Sequence, residues 1–186
     1  TYKFRWGNIL AYADVQDSIG ERMDYSAKVY YTHHRARMDW DRVKTYEQAS
    51  ADEVYEDWIS GIHDIGLKAD FSYALHPEHK LKYGLEHLFH IYTPEQSWYT
   101  RLASDDAPIS YGEMAERYFG TETALYVQDQ MTPTDWFAAD IGLRAVLFGV
   151  KGRTYARVEP RAAICFKPIE MWSVKASYTE MNQFAH

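Results

Sequence analysis

The chain has 186 residues, with 20 Lys+Arg against 27 Asp+Glu and a formal net charge of −7. That length holds one domain with a real core, or part of something larger, and an acidic balance without a basic run argues against nucleic acid as a partner. A single cysteine, Cys165, rules out an internal disulfide framework and a multi-cysteine zinc site, and no apolar run approaches the roughly 18–20 residues of a membrane-spanning helix, which leaves a membrane β-barrel open.

Aromatic residues are abundant: 16 Tyr, 6 Trp and 8 Phe, 16% of the chain. They suit pleated surfaces, and they gather where a barrel wall meets lipid headgroups. The chain opens Thr1-Tyr2-Lys3-Phe4, without Met or the apolar core of a signal peptide. A mature product or an excised piece is expected.

Period two dominates the pattern. A first strand is expected near Phe4–Gln16, ending in an Asp17-Ser18-Ile19-Gly20 turn. The next sets Met23, Tyr25, Ala27, Val29 and Tyr31 against Asp24, Ser26, Lys28, Tyr30 and Thr32. After a long link at about Asp39–Asp57, Ile65, Leu67, Ala69, Phe71, Tyr73 and Leu75 form one face, with Gly66, Lys68, Asp70 and Ser72 opposite. The turn His76-Pro77-Glu78-His79 leads to Leu81, Tyr83, Leu85, His87, Phe89 and Ile91, backed by Lys80, Lys82, Gly84, Glu86, Leu88 and His90. A second long link runs at about Tyr92–Gly120, with a short helix expected in Glu113–Tyr118. A strand near Thr121–Met131 precedes the turn Thr132-Pro133-Thr134-Asp135. Phe137, Ala139, Ile141, Leu143, Ala145 and Leu147 then alternate with Asp140, Gly142 and Arg144. Past the hairpin Val150-Lys151-Gly152-Arg153, Thr154 to Phe166 alternates against Arg157, Glu159, Arg161, Ala163, Cys165 and Lys167. After Pro168-Ile169-Glu170, Trp172, Val174, Ala176 and Tyr178 face away from Ser173, Lys175, Ser177 and Thr179.

That makes about eight strands, mostly longer than usual. Every odd-numbered connection is short, and the long ones fall on even-numbered connections. In an up-and-down sheet those lie at opposite ends, the pattern of short periplasmic turns and longer extracellular loops. Greek-key crossings in a soluble sandwich would scramble it. The charged face (Lys68, Asp70, Lys82, Glu86, Arg144, Glu159, Arg161 and Lys175) cannot meet lipid, where a charge costs roughly 2–4 kcal/mol at mid-depth. It can line a wet or plugged lumen while the apolar face covers the band such barrels present to lipid; in a soluble sandwich the apolar face would instead pack on a second sheet. Pro160, mid-strand, predicts a bulge or an unpaired amide position.

Several stretches share a family pattern. They are Trp6-Gly7-Asn8, Ser60-Gly61-Ile62-His63-Asp64-Ile65-Gly66-Leu67-Lys68-Ala69-Asp70-Phe71, and Ala124-Leu125-Tyr126-Val127-Gln128-Asp129. Gly142-Leu143-Arg144, Glu159-Pro160-Arg161 and Lys175 to Gln183 with His186 complete the set. In this order, they resemble the TonB-dependent outer-membrane receptors, in the form common in Bacteroidetes. The resemblance implies a 22-stranded barrel with an N-terminal plug, driven by an inner-membrane complex through a periplasmic peptide. Plug, coupling peptide and remaining strands are not in this sequence.

The expected fold is therefore all-β: an antiparallel, up-and-down transmembrane β-barrel segment, about eight strands of a larger barrel, with residues 1–186 one partial barrel domain. A complete eight-stranded barrel is a further reading. The expected function is that of the barrel wall of a receptor for energised nutrient uptake in the cell outer membrane. The alternative is a soluble β-sandwich binding module for carbohydrate. Expected partners are outer-membrane lipid, the receptor's own plug and missing strands, and the TonB complex through absent segments, with a surface lipoprotein as a further candidate; nucleic acid is not among them.

Ligand contact is expected, in the long links, from Trp40, Asp41, Trp98, Tyr99 and Tyr111; a solvated or self-packed loop is the plainer reading of those residues. Asp39 and Asp41 also invite a cation. The histidines invite a metal, but His87 and His90 fall on opposite sides of a strand, and His76 and His79 lack a third ligand. No cofactor, metal site or catalytic residue is expected; Gly-x-Ser-x-Gly, His-Glu-x-x-His and a phosphate loop are all missing.

Overall fold

The computed structural model describes residues 1–45, 51–102 and 107–184. Its strands are β1 (Tyr2–Ile19), β2 (Met23–Thr45), β3 (Ala51–His76), β4 (His79–Leu102), β5 (Ile109–Met114), β6 (Tyr118–Thr134), β7 (Phe137–Val150), β8 (Arg153–Ile169) and β9 (Trp172–Thr179). They form one antiparallel sheet in the order β1-β2-β3-β4-β6-β7-β8-β9, with β5 added against β4. β1 and β9 are its two edges.

The eight-strand path is the expected one, and the ninth strand corrects it. Both long links contain strand. Asp39–Thr45 belongs to β2 and Ala51–Asp57 to β3; the middle of that link, 46–50, lies outside the described residues. The second link holds the last residues of β4 and all of β5, paired from Gln96↔Met114 to Arg101↔Ile109. Glu113 and Met114 are therefore strand residues, and Ala115–Arg117 between β5 and β6 carries no helix. The reason is physical: hydrophobic alternation marks a strand only where one face must be apolar, whereas the backbone ladder pairs regardless of side chain.

The turns are tight. Pro77-Glu78, Asp135-Trp136, Lys151-Gly152 and Glu170-Met171 each close a hairpin with two residues, and Gly20-Glu21-Arg22 closes the first with three. Lys151 and Gly152 have φ of 50° and 74°, so both turn residues sit in the left-handed region that a primed hairpin turn demands. Pro133 and Pro168 fall inside register shifts (Met131/Thr134 and Phe166/Ile169), the positions where a strand tolerates a missing N–H.

Pro160 shows the second of its two predicted outcomes. It pairs with Leu143 without a shift, so there is no bulge. Its carbonyl accepts from Glu180 N at 3.1 Å, which turns its N toward β9. The β8–β9 ladder ends one residue away, at Arg161↔Thr179, so the missing donor costs no ladder bond.

The chain forms two compact units. One comprises Thr1–Ala11, Tyr31–Asp64 and His90–Phe119; the other comprises Tyr12–Tyr30, Ile65–Phe89 and the chain from Gly120 onward. In the second unit β7 shows how the sheet is dressed. Gly142, Val146 and Phe148 are buried and Arg144 half-buried, while Ile141, Leu143, Ala145 and Leu147 alternate with them and are exposed. The apolar face is thus the open one: Leu67 is 47% and Leu143 48% exposed. A sandwich would have buried these side chains under a second sheet, and its charged face would have been the outer one. The sandwich alternative fails on this point. The small core lies on the other face, where Ala124, Val146 and Phe148 are buried and the Phe184 ring stacks on Phe148 at 5.3 Å.

Candidate functional site

The polar face of the second unit is a network that reaches across strands. Tyr30, on β2, lies over Gly66 of β3: a Cβ built there would stand 2.2 Å from the ring. That bare spot lets the Tyr30 hydroxyl donate to Glu86 Oε1 on β4 at 3.0 Å. Tyr126, on β6, repeats the device in the other direction. It lies over Gly84 of β4 and its hydroxyl donates to Asp70 on β3 at 2.5 Å. Gly142 does the same for Arg161, whose Cγ would stand 3.1 Å from an added Cβ. Glycine in a strand marks a close approach, and here the approach is a side chain lying flat on the sheet.

Arg144 sits among three carboxylates. Its guanidinium is 3.1 Å from Glu86, 3.7 Å from Glu159 and 3.8 Å from Glu122. Glu159 is buried and also accepts from Asn182 N at 2.8 Å, so the segment after β9 folds back onto the cluster. Asp140 accepts from both Gln128 and Gln130, at 2.7 and 3.1 Å. Lys68 pairs with Asp70 at 3.4 Å.

Of the charged residues expected on this face, Lys68, Asp70, Glu86, Arg144 and Glu159 join through these contacts, and Arg161 lies on it over Gly142. Lys82 lines a cavity of about 610 Å³ with Asp70, Ser72 and Tyr126. Lys175, across from Cys165 in the β8–β9 ladder, lines a separate groove of about 520 Å³ with Asp140 and Cys165. The tyrosine–glycine pairs are the part that sequence reasoning missed. Their signal was present: Gly66 and Gly84 both fall on the polar side of the alternation, as does Gly142 beneath Arg161.

The residues expected to meet a ligand lie in the first unit, on strands and not in loops. Trp40 and Asp41 are in β2; Arg42 caps the Trp40 ring at 4.2 Å, and Asp41 N donates to Thr1 O at 2.7 Å. Asp39 is taken by Arg5 and Arg37, which corrects the cation reading of that carboxylate. Tyr99 and Tyr111 are register partners, their rings stacked at 4.9 Å, and Trp98 lies over Gly112. These aromatics pack on their own hairpin, yet Trp98 and Tyr111 stay exposed. Of the histidines, His87 hydrogen-bonds Thr123, His90 pairs with Asp64 and His79 with Asp129. His33 and His63 stack at 4.0 Å.

A single antiparallel layer, apolar and open on one side, charged and cross-linked on the other, is the wall of a membrane β-barrel. The model of the TonB-dependent receptor-like β-barrel matches residues 1–182, and the chain belongs to that family, one of transport receptors of the cell outer membrane. No curated protein matches. Among solved structures, the pyoverdine outer membrane receptor FpvA from Pseudomonas aeruginosa PAO1 is similar at 17% identity, over 94% of this chain and 29% of that one, with a TM-score of 0.65. BauA, the ferric preacinetobactin receptor from Acinetobacter baumannii, is similar at 10% identity over 95% of this chain and 30% of its own, TM-score 0.61. The RagAB peptide importer follows at 11% over 89% and 20%, TM-score 0.53. The chain thus spans less than a third of the length of each.

Proposed function

We propose that residues 1–186 are part of the barrel wall of a receptor that takes up a scarce nutrient across the outer membrane, with energy supplied through TonB. The apolar face meets outer-membrane lipid. The polar face meets the receptor's plug, and its remaining strands continue the sheet at β1 and β9. Coupling to the TonB complex runs through segments outside this chain. The wall itself is not catalytic. Trp40, Asp41, Trp98, Tyr99 and Tyr111 belong to the strand extensions that meet the nutrient from outside, and the exposed Trp98 and Tyr111 are its first contacts. A surface lipoprotein would approach from the same side.

The carrying observation is the half-exposed apolar face beside a half-buried, ion-paired polar one. In water the first is costly, at about 25 cal/mol per Å² of apolar surface; in lipid it is favourable. The test uses the full-length receptor in intact outer membranes, with Cys165 replaced by Ala and a cysteine at position 67 or 143. Cysteines in place of Leu67 and Leu143 should resist a water-soluble maleimide and react with a lipid-soluble one. Ready aqueous labelling of both in membranes would sink the reading.

A further inference from the structure

In the first unit, β5 has one free side. It lies off the path by which the sheet continues, and β4 is its one partner among the described residues. All of its residues, Ile109–Met114, are exposed. The ladder with β4 fixes which backbone groups are already used. Ala115 N donates to Glu95 O at 3.0 Å, and the register runs unbroken from Gln96↔Met114 to Arg101↔Ile109. Alternation then turns the N–H and C=O of Ile109, Tyr111 and Glu113 toward β4, and those of Ser110, Gly112 and Met114 away from it. An edge of this kind is a template for another strand, and the usual protections are missing: β5 holds no Pro, no Lys and no bulge.

Both faces of that edge offer a contact for an arriving side chain. On one, the Trp98 indole lies over Gly112, where an added Cβ would stand 2.8 Å from Cδ1. A residue arriving opposite Gly112 would set its side chain against that ring. On the other, Tyr111 stacks on Tyr99 at 4.9 Å and remains 58% exposed. Glu113 follows Tyr111 on the same face, exposed and with no ion pair among the described residues. An uncommitted carboxylate on a chain whose net charge is −7 favours a basic residue beside it and repels an acidic one.

We infer that the free edge of β5 takes up an extended polypeptide segment as a further antiparallel strand, with an apolar side chain against Trp98 and a basic one beside Glu113. Main-chain hydrogen bonds from Ser110, Gly112 and Met114 hold the segment, and the two flanking side chains select it. The inference deepens the contact proposed above for Trp98 and Tyr111, and it rests on the reading that they meet the outside of the cell.

The test is photo-crosslinking of the full-length receptor in detergent. The probe is an end-blocked peptide, Thr-Lys-Bpa-Val-Thr, in which benzoylphenylalanine (Bpa) takes the place opposite Gly112 and Lys the place opposite Glu113. Mass spectrometry should map the cross-link to Trp98, Gly112 or Met114. N-methylation of Bpa, whose N–H would face β5, should lower the yield about tenfold, whereas N-methylation of Val, whose N–H would face away, should leave most of it. Wild type should take the Lys probe about fivefold better than its Glu counterpart, and Glu113→Lys, which breaks no ion pair among the described residues, should reverse that preference. Equal losses from the two N-methyl groups, or a preference unmoved by Glu113→Lys, would overturn the inference. So would a receptor that elutes as a dimer and takes no probe, because the edge would then belong to a second copy. The receptor reading is checked separately on intact cells, with Ile109→Cys in a Cys165→Ala background and a membrane-impermeant maleimide. Labelling there without any cross-link sinks the strand addition alone; a cysteine that stays unlabelled sinks the outside reading beneath it.

Discussion

The arginine clusters of the two compact units use charge in opposite ways. In the second, charged side chains are half-buried and joined across strands: Tyr30 to Glu86, Tyr126 to Asp70, and Arg144 to three carboxylates. In the first, the Arg5, Asp39, Arg37 and Asp57 chain includes an Arg5 side chain that is 63% exposed and an Asp57 that is 42% exposed. Exposed pairs contribute little, because water screens them and long side chains lose entropy in forming them. Buried ones are costly to break, because the remaining partner has no water to turn to. Arginines and carboxylates therefore form a half-buried network in one cluster and a water-screened chain in the other.

The sharpest way to break that contrast is Arg144→Met. It leaves Glu86, Glu122 and Glu159 facing one another without their shared cation. We expect a loss of about 3 kcal/mol, the low end for a broken buried pair because the cluster is not fully dry. The denaturant midpoint of the full-length receptor, refolded in lipid vesicles, measures it. An unchanged midpoint would mean that the network is ornamental and the units do not differ.

A smaller effect is expected from the glycines. An added Cβ at Gly84 would stand 2.5 Å from Ala69 O and 2.6 Å from Tyr126 Cε1, so Gly84→Ala must push backbone and ring together. Overpacking of this kind costs about 1–3 kcal/mol. Gly7→Ala, in the first unit, meets nothing within 4 Å and should leave the same midpoint in place. Equal shifts for the two would remove the distinction between a covered glycine and an open one.

Much of the wall was legible in the sequence, because an apolar face and an ionic face impose alternation. That alternation set Leu67 and Leu143 on one side and Lys68 and Arg144 on the other, as the structure does, and marked the short turns. It fell silent where it no longer applied. In Asp39–Thr45, Ala51–Asp57 and Tyr92–Leu102 both faces carry mixed side chains, so the strands read as links although their backbones remain paired. Glu113-Met114 read as helical because local propensity favours it, and the ladder with Gln96 and Ser97 overrides that preference. The partners of Tyr30 and Tyr126 lie two strands away in the sheet, a relation that no spacing within one strand encodes.

The mildest prediction concerns pH. The Arg37 guanidinium, with Asp57 and Arg5 adding to it, holds the Asp39 carboxyl far below the ordinary carboxylate range. A group whose folded pKa is depressed contributes stability above its unfolded value, near 3.9, and loses it only as pH falls through the lower folded value. Asp39 should stay ionised as the solution passes pH 4, and the difference between wild type and Asp39→Asn should be constant from neutrality down to about that pH. Because the Arg5 and Arg37 side chains that hold it are open to water, the difference itself should be near the resolution of a denaturant midpoint. The informative quantity is its slope: a difference that already collapses between pH 6 and 5 would show that Arg37 and Arg5 do not hold this carboxylate, and that the first unit keeps its charges even more loosely than its geometry implies.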